Sequence, residues 1–151
     1  MKPELEFVFE LNGALEPSVT VGQTPHGLRQ VVPISGGRFE GPAIRGTIVP
    51  GGADWQVVRS DGVNELEAIY LLRTDDGVTI QVRNRGLRHG PEPVMKRLFA
   101  GEPVDPSEYY FRAVPTFSTA AGKYEWLNRS VFVCSGARQG DSIRLWIYRV
   151  N

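Results

Sequence analysis

The stretch that decides the fold is Glu65-Leu66-Glu67-Ala68-Ile69-Tyr70-Leu71-Leu72-Arg73-Thr74-Asp75-Asp76-Gly77-Val78-Thr79-Ile80-Gln81-Val82-Arg83-Asn84-Arg85. Successive side chains of a strand point to opposite faces, so the alternating runs on either side of Asp75-Asp76-Gly77 read as two half-buried strands. Gly77 supplies the tolerance of positive φ that a tight hairpin needs. A hairpin this long suits an up-and-down antiparallel sheet.

The same punctuation recurs outward from it. Runs rich in Val, Ile, Phe and Tyr, cut by Gly, Pro, Asn and Asp, place strands near Leu5–Leu11, Leu15–Val21, Leu28–Ile34, Ile44–Val49 and Gln56–Arg59 on one side. Beyond the hairpin they fall near Tyr109–Val114, Val131–Ala137 and Ser142–Val150, the last pair joined by Gln139-Gly140-Asp141. The hairpin strands themselves span Glu65–Thr74 and Val78–Arg85. A single helix is expected over Pro91–Ala100: proline fits the first turn, Glu92 complements the helix dipole and Gly101 can take the left-handed C-cap. Gly86–Gly90 and Glu102–Ser107 read as loops.

About ten strands and one short helix exclude a doubly wound fold, which needs a crossover helix between parallel strands. The expected fold is all-β, a single antiparallel β-barrel over residues 1–151, with a two-sheet β-sandwich as the alternative. Gly36-Gly37 and Gly51-Gly52 can make its corners or bulges.

The 151 residues carry 17 basic and 17 acidic side chains, 41% hydrophobic and 23% charged. A balanced charge gives no field to recruit nucleic acid or an anionic membrane. The chain opens without a continuous apolar stretch of signal-peptide length, so the expected location is cytoplasmic. Cys134 is the only cysteine and His26 and His89 the only histidines, both expected in loops, so neither a disulfide nor a multi-ligand metal site is indicated. No motif points to a cofactor. Exposed strand faces and edges suggest self-association, most simply a homodimer.

Gly27-Leu28-Arg29, Gly36-Gly37-Arg38-Phe39-Glu40-Gly41-Pro42, Pro50-Gly51-Gly52-Ala53-Asp54-Trp55, Thr74-Asp75-Asp76-Gly77 and Tyr124-Glu125-Trp126-Leu127-Asn128 occur in that order. In these stretches the chain resembles a bacterial and fungal family known as domain of unknown function three-two-three-seven. The resemblance implies a compact antiparallel β-barrel and no established general activity; it carries over no catalytic residue.

Candidate site residues therefore come from local chemistry. Asp54 adjoins Trp55, and a carboxylate partly dehydrated against an indole has a raised pKa suited to proton transfer near neutrality. Capping a turn through backbone N–H groups would instead lower it. Tyr110 and Arg112 share one strand face and Tyr109 and Phe111 the other. If the Tyr110 face lines the barrel, a phenol and a guanidinium can hold a carboxylate or enolate oxygen; if it faces outward, both are ordinary surface groups.

Glu67 and Tyr70 lie on opposite faces of their strand, so at most one of them normally points inward. Arg29 and Arg83 can each neutralise a buried acid or join a structural ion pair. Trp126 and Asn128 can form a barrel-mouth lid, or Trp126 can plug an end of the core. Catalysis is thus assigned to Asp54, Tyr110 and Arg112, and ligand binding to Arg29, Trp55, Glu67, Trp126 and Asn128. Two classes fit: a cofactor-independent isomerase, cyclase, hydratase or lyase acting on a carbonyl-bearing or aromatic metabolite, or a non-catalytic small-molecule binding or carrier barrel.

Overall fold

The computed structural model describes residues 1–151. Nine strands form one sheet: β1 (Leu5–Leu15), β2 (Val19–Thr24), β3 (Gly27–Glu40), β4 (Arg45–Val58), β5 (Asn64–Thr74), β6 (Thr79–His89), β7 (Tyr110–Thr119), β8 (Val131–Gln139) and β9 (Ser142–Val150). Their order is β1-β9-β8-β7-β6-β5-β4-β3-β2, and β1 also pairs with β3. Eight strands therefore close into an antiparallel barrel, with β2 as an extra strand. Closure removes the two long edges that an open sheet would leave unpaired.

β1 and β2 both lie along β3, through Leu15↔Ile34 and Val19↔Val31. They follow one line, interrupted around Pro17. The central hairpin is as read: β5 buries Leu66, Tyr70 and Leu72, while Glu65, Leu71 and Arg73 face solvent. β6 answers with Ile80, Val82, Asn84 and Arg88 buried. Gly77 has φ 90° and Gly140 φ 58°, the positive values that the two hairpin turns require.

Nine strands replace the expected ten because the readings Ile44–Val49 and Gln56–Arg59 belong to one strand, β4. Its register slips between Val49 and Ala53, where Gly51 takes φ 113°. The glycines make a bulge within a strand, as a glycine pair allows. β6 likewise runs on through Gly86 to His89, a segment read as loop. A side chain there would strike the facing strand: a Cβ on Gly86 would lie 2.5 Å from Ala113 Cβ and 2.5 Å from the Arg112 carbonyl oxygen.

The helix α1 (Glu92–Phe99) matches its reading, with Lys96 and Arg97 in the last turn and Gly101 at φ 78°. It buries Val94, Met95 and Leu98 over one end of the barrel. The opposite end is closed by a 3₁₀ turn, Glu125–Arg129, whose Leu127 is buried and whose Trp126 leans on Phe132 at 6.3 Å between ring centroids. No helix is long and apolar enough to cross a membrane.

Candidate functional site

Beneath α1, the barrel interior does not fill completely. A cavity of about 50 Å³ is walled mainly by aliphatic side chains such as Leu11, Ile34, Ile48 and Leu145, with Phe111 and Tyr70. Its polar lining is confined to Asp54, Gln56, Asn84, Arg88 and Arg138, with the Tyr70 hydroxyl. Val32, Gln56, Arg88 and Arg138 also line a second space of about 360 Å³, bounded by Leu98 and Phe99 of α1 and by Ser18 and Leu28. These four residues form a neck between an inner cavity and an outer vestibule.

Asp54 reaches this site from β4 just after the bulge, so the register slip sets which face it takes. One carboxylate oxygen accepts from Gln56 Nε2 at 2.8 Å and the other from the Glu67 backbone N–H at 3.1 Å. Burial nevertheless dominates and raises its pKa above the ordinary carboxylate value, against the opposing pull of the Gln56 hydrogen bond and of Arg88. Gln56 is itself fixed, because its Oε1 accepts from Gln30 Nε2 at 2.8 Å and from Asn64 Nδ2 at 3.1 Å. Its amide must therefore turn its N–H toward Asp54.

Arg88 retains only 3% of its accessible surface. Its Nε has no hydrogen-bond partner, and it makes no ion pair with any carboxylate. The guanidinium carbon sits 5.4 Å from the centre of the Phe111 ring and 6.0 Å from that of Phe99. Desolvation pulls its pKa down to about 10, so it stays a cation at neutral pH. Arg138 is held by its Nε, which donates to the Gly140 carbonyl at 2.7 Å, and it too is free of any carboxylate partner. The buried Asn84 Oδ1 is also unpaired. Burial pushes the Tyr70 phenol pKa up, so its hydroxyl remains protonated.

Of the residues assigned from sequence, only Asp54 lines this cavity. Tyr110 and Arg112 do not join it: in β7 the buried positions are Phe111, Ala113, Pro115 and Phe117, which turns Tyr110 and Arg112 to the outside. Tyr110 stacks there on His89 at 5.0 Å, and Arg112 Nη1 donates to the Phe111 carbonyl. Trp55 is exposed on the face opposite Asp54, and Glu67 meets Arg83 and Arg85 on the outer wall. Arg29 alternates with the vestibule-lining Gln30 and so points away from it. Trp126 and Asn128 stand at the far end, where Asn128 clasps the Thr119 backbone through both amide atoms at 2.9 Å.

Arg88, Arg138, Gln56 and Asn84 were not singled out by sequence. For Arg88 the signal existed: continuing the inward parity of Val82 and Asn84 past Gly86 lands on it.

A family model described as "Protein of unknown function (DUF3237)" matches residues 3–150. The chain belongs to this family. It is 41% identical over 152 residues to a UPF0311 protein of Bradyrhizobium diazoefficiens, covering 99% of both chains. The crystal structure of a conserved protein of unknown function from Rhodopseudomonas palustris superposes with a TM-score of 0.95 at 37% identity, covering 100% of this chain and 99% of that one. A more distant relative is an enzyme: the hydroalkoxylation enzyme of Penicillium herquei is 28% identical over 126 residues, 83% of this chain and 69% of that protein. An enzyme structure from the same fungus shares the fold, with a TM-score of 0.73 at 23% identity over 100% of this chain and 96% of that one.

Proposed function

We propose that this protein is a cofactor-independent enzyme that moves a proton on a small, carbonyl-bearing or aromatic metabolite held in the barrel. One observation carries the reading: a carboxyl group with a raised pKa stands in a largely apolar cavity opposite two guanidinium groups that have no carboxylate partner. Burial raises the proton affinity of a carboxyl so placed, which favours its use in general acid–base catalysis.

The chemistry follows from these groups. Asp54 as carboxylate takes a proton from carbon beside a carbonyl, and the C–H electron pair moves to give an enolate oxygen. Arg88 and Arg138 stabilise that oxygen in a low-dielectric neck where such contacts are strong. Asp54 then returns the proton at another atom, which isomerises the substrate, or a β-substituent leaves, which is a lyase step. Run in reverse, the same cycle adds an O–H across a C=C bond. Addition of an alcohol O–H to an alkene is what the name of the Penicillium herquei relative describes, and it too moves protons without changing the oxidation level of the reactants taken together. Two guanidiniums at the neck take the part expected of Arg112, and the Tyr70 hydroxyl that of Tyr110.

A carrier or sensor role is the second reading, supported by the mainly aliphatic wall of the cavity. The experiment that separates them is Asp54→Asn, assayed on the metabolite that co-purifies with the protein from its host. Turnover is expected to fall about 10²- to 10⁴-fold, as for loss of a general acid or base, with ligand affinity nearly kept and the melting temperature held or raised. A stable variant with full turnover overturns the assignment.

A further inference from the structure

We infer that the neck is a receptor for one two-oxygen anion on an apolar body, so that the ligand enters already charged, as a carboxylate or as the enolate of a 1,3-dicarbonyl. The inference rests on the cavity being a small-molecule site, and it fixes the chemical class that a proton-transfer role leaves open.

Charge is the starting point. Burying a cation without a partner is costly, and proteins keep such a group only when something pairs it. Arg88 is almost wholly buried with an unpartnered Nε. No carboxylate forms an ion pair with it, and the two aromatic rings near it offer a π-face rather than an acceptor. Asp54 commits its oxygens to Gln56 and to the Glu67 N–H. Arg138, with its Nε on Gly140, leaves its terminal nitrogens uncommitted beside the same opening. The neck thus holds two guanidiniums against a single nearby carboxylate, Asp54, whose field acts on both without an ion pair to either, which leaves a net positive charge for a ligand to match.

Shape supplies the rest. A guanidinium presents parallel donors that fit two oxygens on one carbon frame, and a plain ketone offers one oxygen only. Leu28, Val58 and Leu98 on the vestibule side, and the aliphatic wall on the cavity side, leave the remainder of the ligand mostly apolar surroundings, with Asn84 and the Tyr70 hydroxyl among the few polar groups in reach. The ligand's body is therefore hydrocarbon or aromatic.

The test compares matched probes by isothermal titration: 2-naphthoate against 2-naphthamide, and dimedone against its neutral methyl enol ether. The ionised member of at least one pair should bind wild type about tenfold or more tightly, as charge-assisted bidentate pairing gives. Which pair responds distinguishes a carboxylate from an enolate. Arg88→Met should shrink that preference to near unity while the neutral probe still binds, and its melting temperature should hold or rise, since a costly unpaired cation has gone. Arg138→Gln provides a second variant with the same direction of effect.

Equal affinity within both pairs, no binding by either ionised probe, or an unchanged preference in both variants overturns the inference. So does a collapse in the melting temperature of Arg88→Met, which would make Arg88 a structural cation. Failure here is distinct from failure of the catalytic reading, which turns on whether Asp54→Asn loses turnover, whatever the ratio of anion to neutral binding.

Discussion

On β6, Arg85 and Arg88 lie within a turn of chain of each other, yet they live in different solvents. Arg85 is on the outer wall, where it and Arg83 face Glu67 at 3.5 Å and 2.9 Å. Arg88 is on the inner wall, where it feels the Asp54 charge but forms no ion pair. The carboxylates repeat the contrast. Glu67 and Asp54 are joined through one hydrogen bond across the β4–β5 ladder, but the fork with Arg83 lowers the Glu67 pKa while burial raises that of Asp54. Outside, charges are matched to one another and screened by water. Inside, one carboxylate stands among two guanidiniums and pairs directly with neither, and an excess of unpaired buried charge is a mark of a site kept for a ligand.

The widest separation between the two walls is expected in turnover. Asp54→Asn should lower it by the about 10²- to 10⁴-fold already given, whereas Glu67→Gln should keep it within about twofold, since a solvated carboxylate holds no proton to transfer at neutral pH. Equal losses in both would erase the distinction between the walls.

Packing gives the next contrast. Gly86 follows the inward parity of β6 and touches β7, so Gly86→Ala forces the two strands apart and should destabilise by about 1–3 kcal/mol, the range for overpacking a closed core. Its outward neighbour Leu87 is 40% exposed, and Leu87→Ala should cost about 0.5 kcal/mol. Thermal melts of the two variants check this, and a larger loss for Leu87→Ala would mean that the outer wall is covered by a partner in solution.

How much of this could be read from sequence depends on where glycine falls. The alternation of Glu65 to Arg85 carried the barrel, because period-two burial in a long hairpin has one physical solution. Asp54 stood out by its aromatic neighbour. Its partners did not, because Arg88 and Arg138 each lie just beyond a strand end read too early, at Arg85 and at Ala137. Gly86 reads as a breaker in sequence, although in a barrel an inward glycine can instead be the place where a neighbouring strand comes closest. The outward turn of Tyr110 and Arg112 was a matter of parity, and neither Tyr109-Phe111 nor Tyr110-Arg112 is apolar enough relative to the other to fix it before the strand is paired.

Acid titration sharpens the comparison through sign. Asp54 binds its proton more tightly folded than unfolded, so its contribution to stability is fully present below its ordinary value of 3.8 and is lost as pH rises through the raised folded value. Glu67 is the reverse: its contribution is present above its ordinary value of 4.5 and is lost as pH falls through the lowered folded value. Urea denaturation from pH 3 to 8 should therefore show a difference between wild type and Asp54→Asn that grows unfavourably for wild type with rising pH. The difference between wild type and Glu67→Gln should run the opposite way. Slopes of the same sign would place both carboxyls in one kind of environment.

The smallest effect expected is the stability of the outer cluster itself. Glu67 keeps a third of its side-chain surface in water, and its partners Arg83 and Arg85 keep half or more. Exposed ion pairs of this kind contribute about 0–1 kcal/mol, because the Coulomb gain in high dielectric is offset by ordering of long side chains. Glu67→Gln should then lower the melting temperature by no more than about 2–4 °C in dilute buffer for a chain of this size. In 1 M salt the screening length shortens to about 3 Å and the gap should close. A gap that survives high salt would mean that Glu67 is not simply solvated. It would then be locked into the ladder through its own N–H to Asp54, and the two walls would be one coupled unit rather than an inert surface around a charged neck.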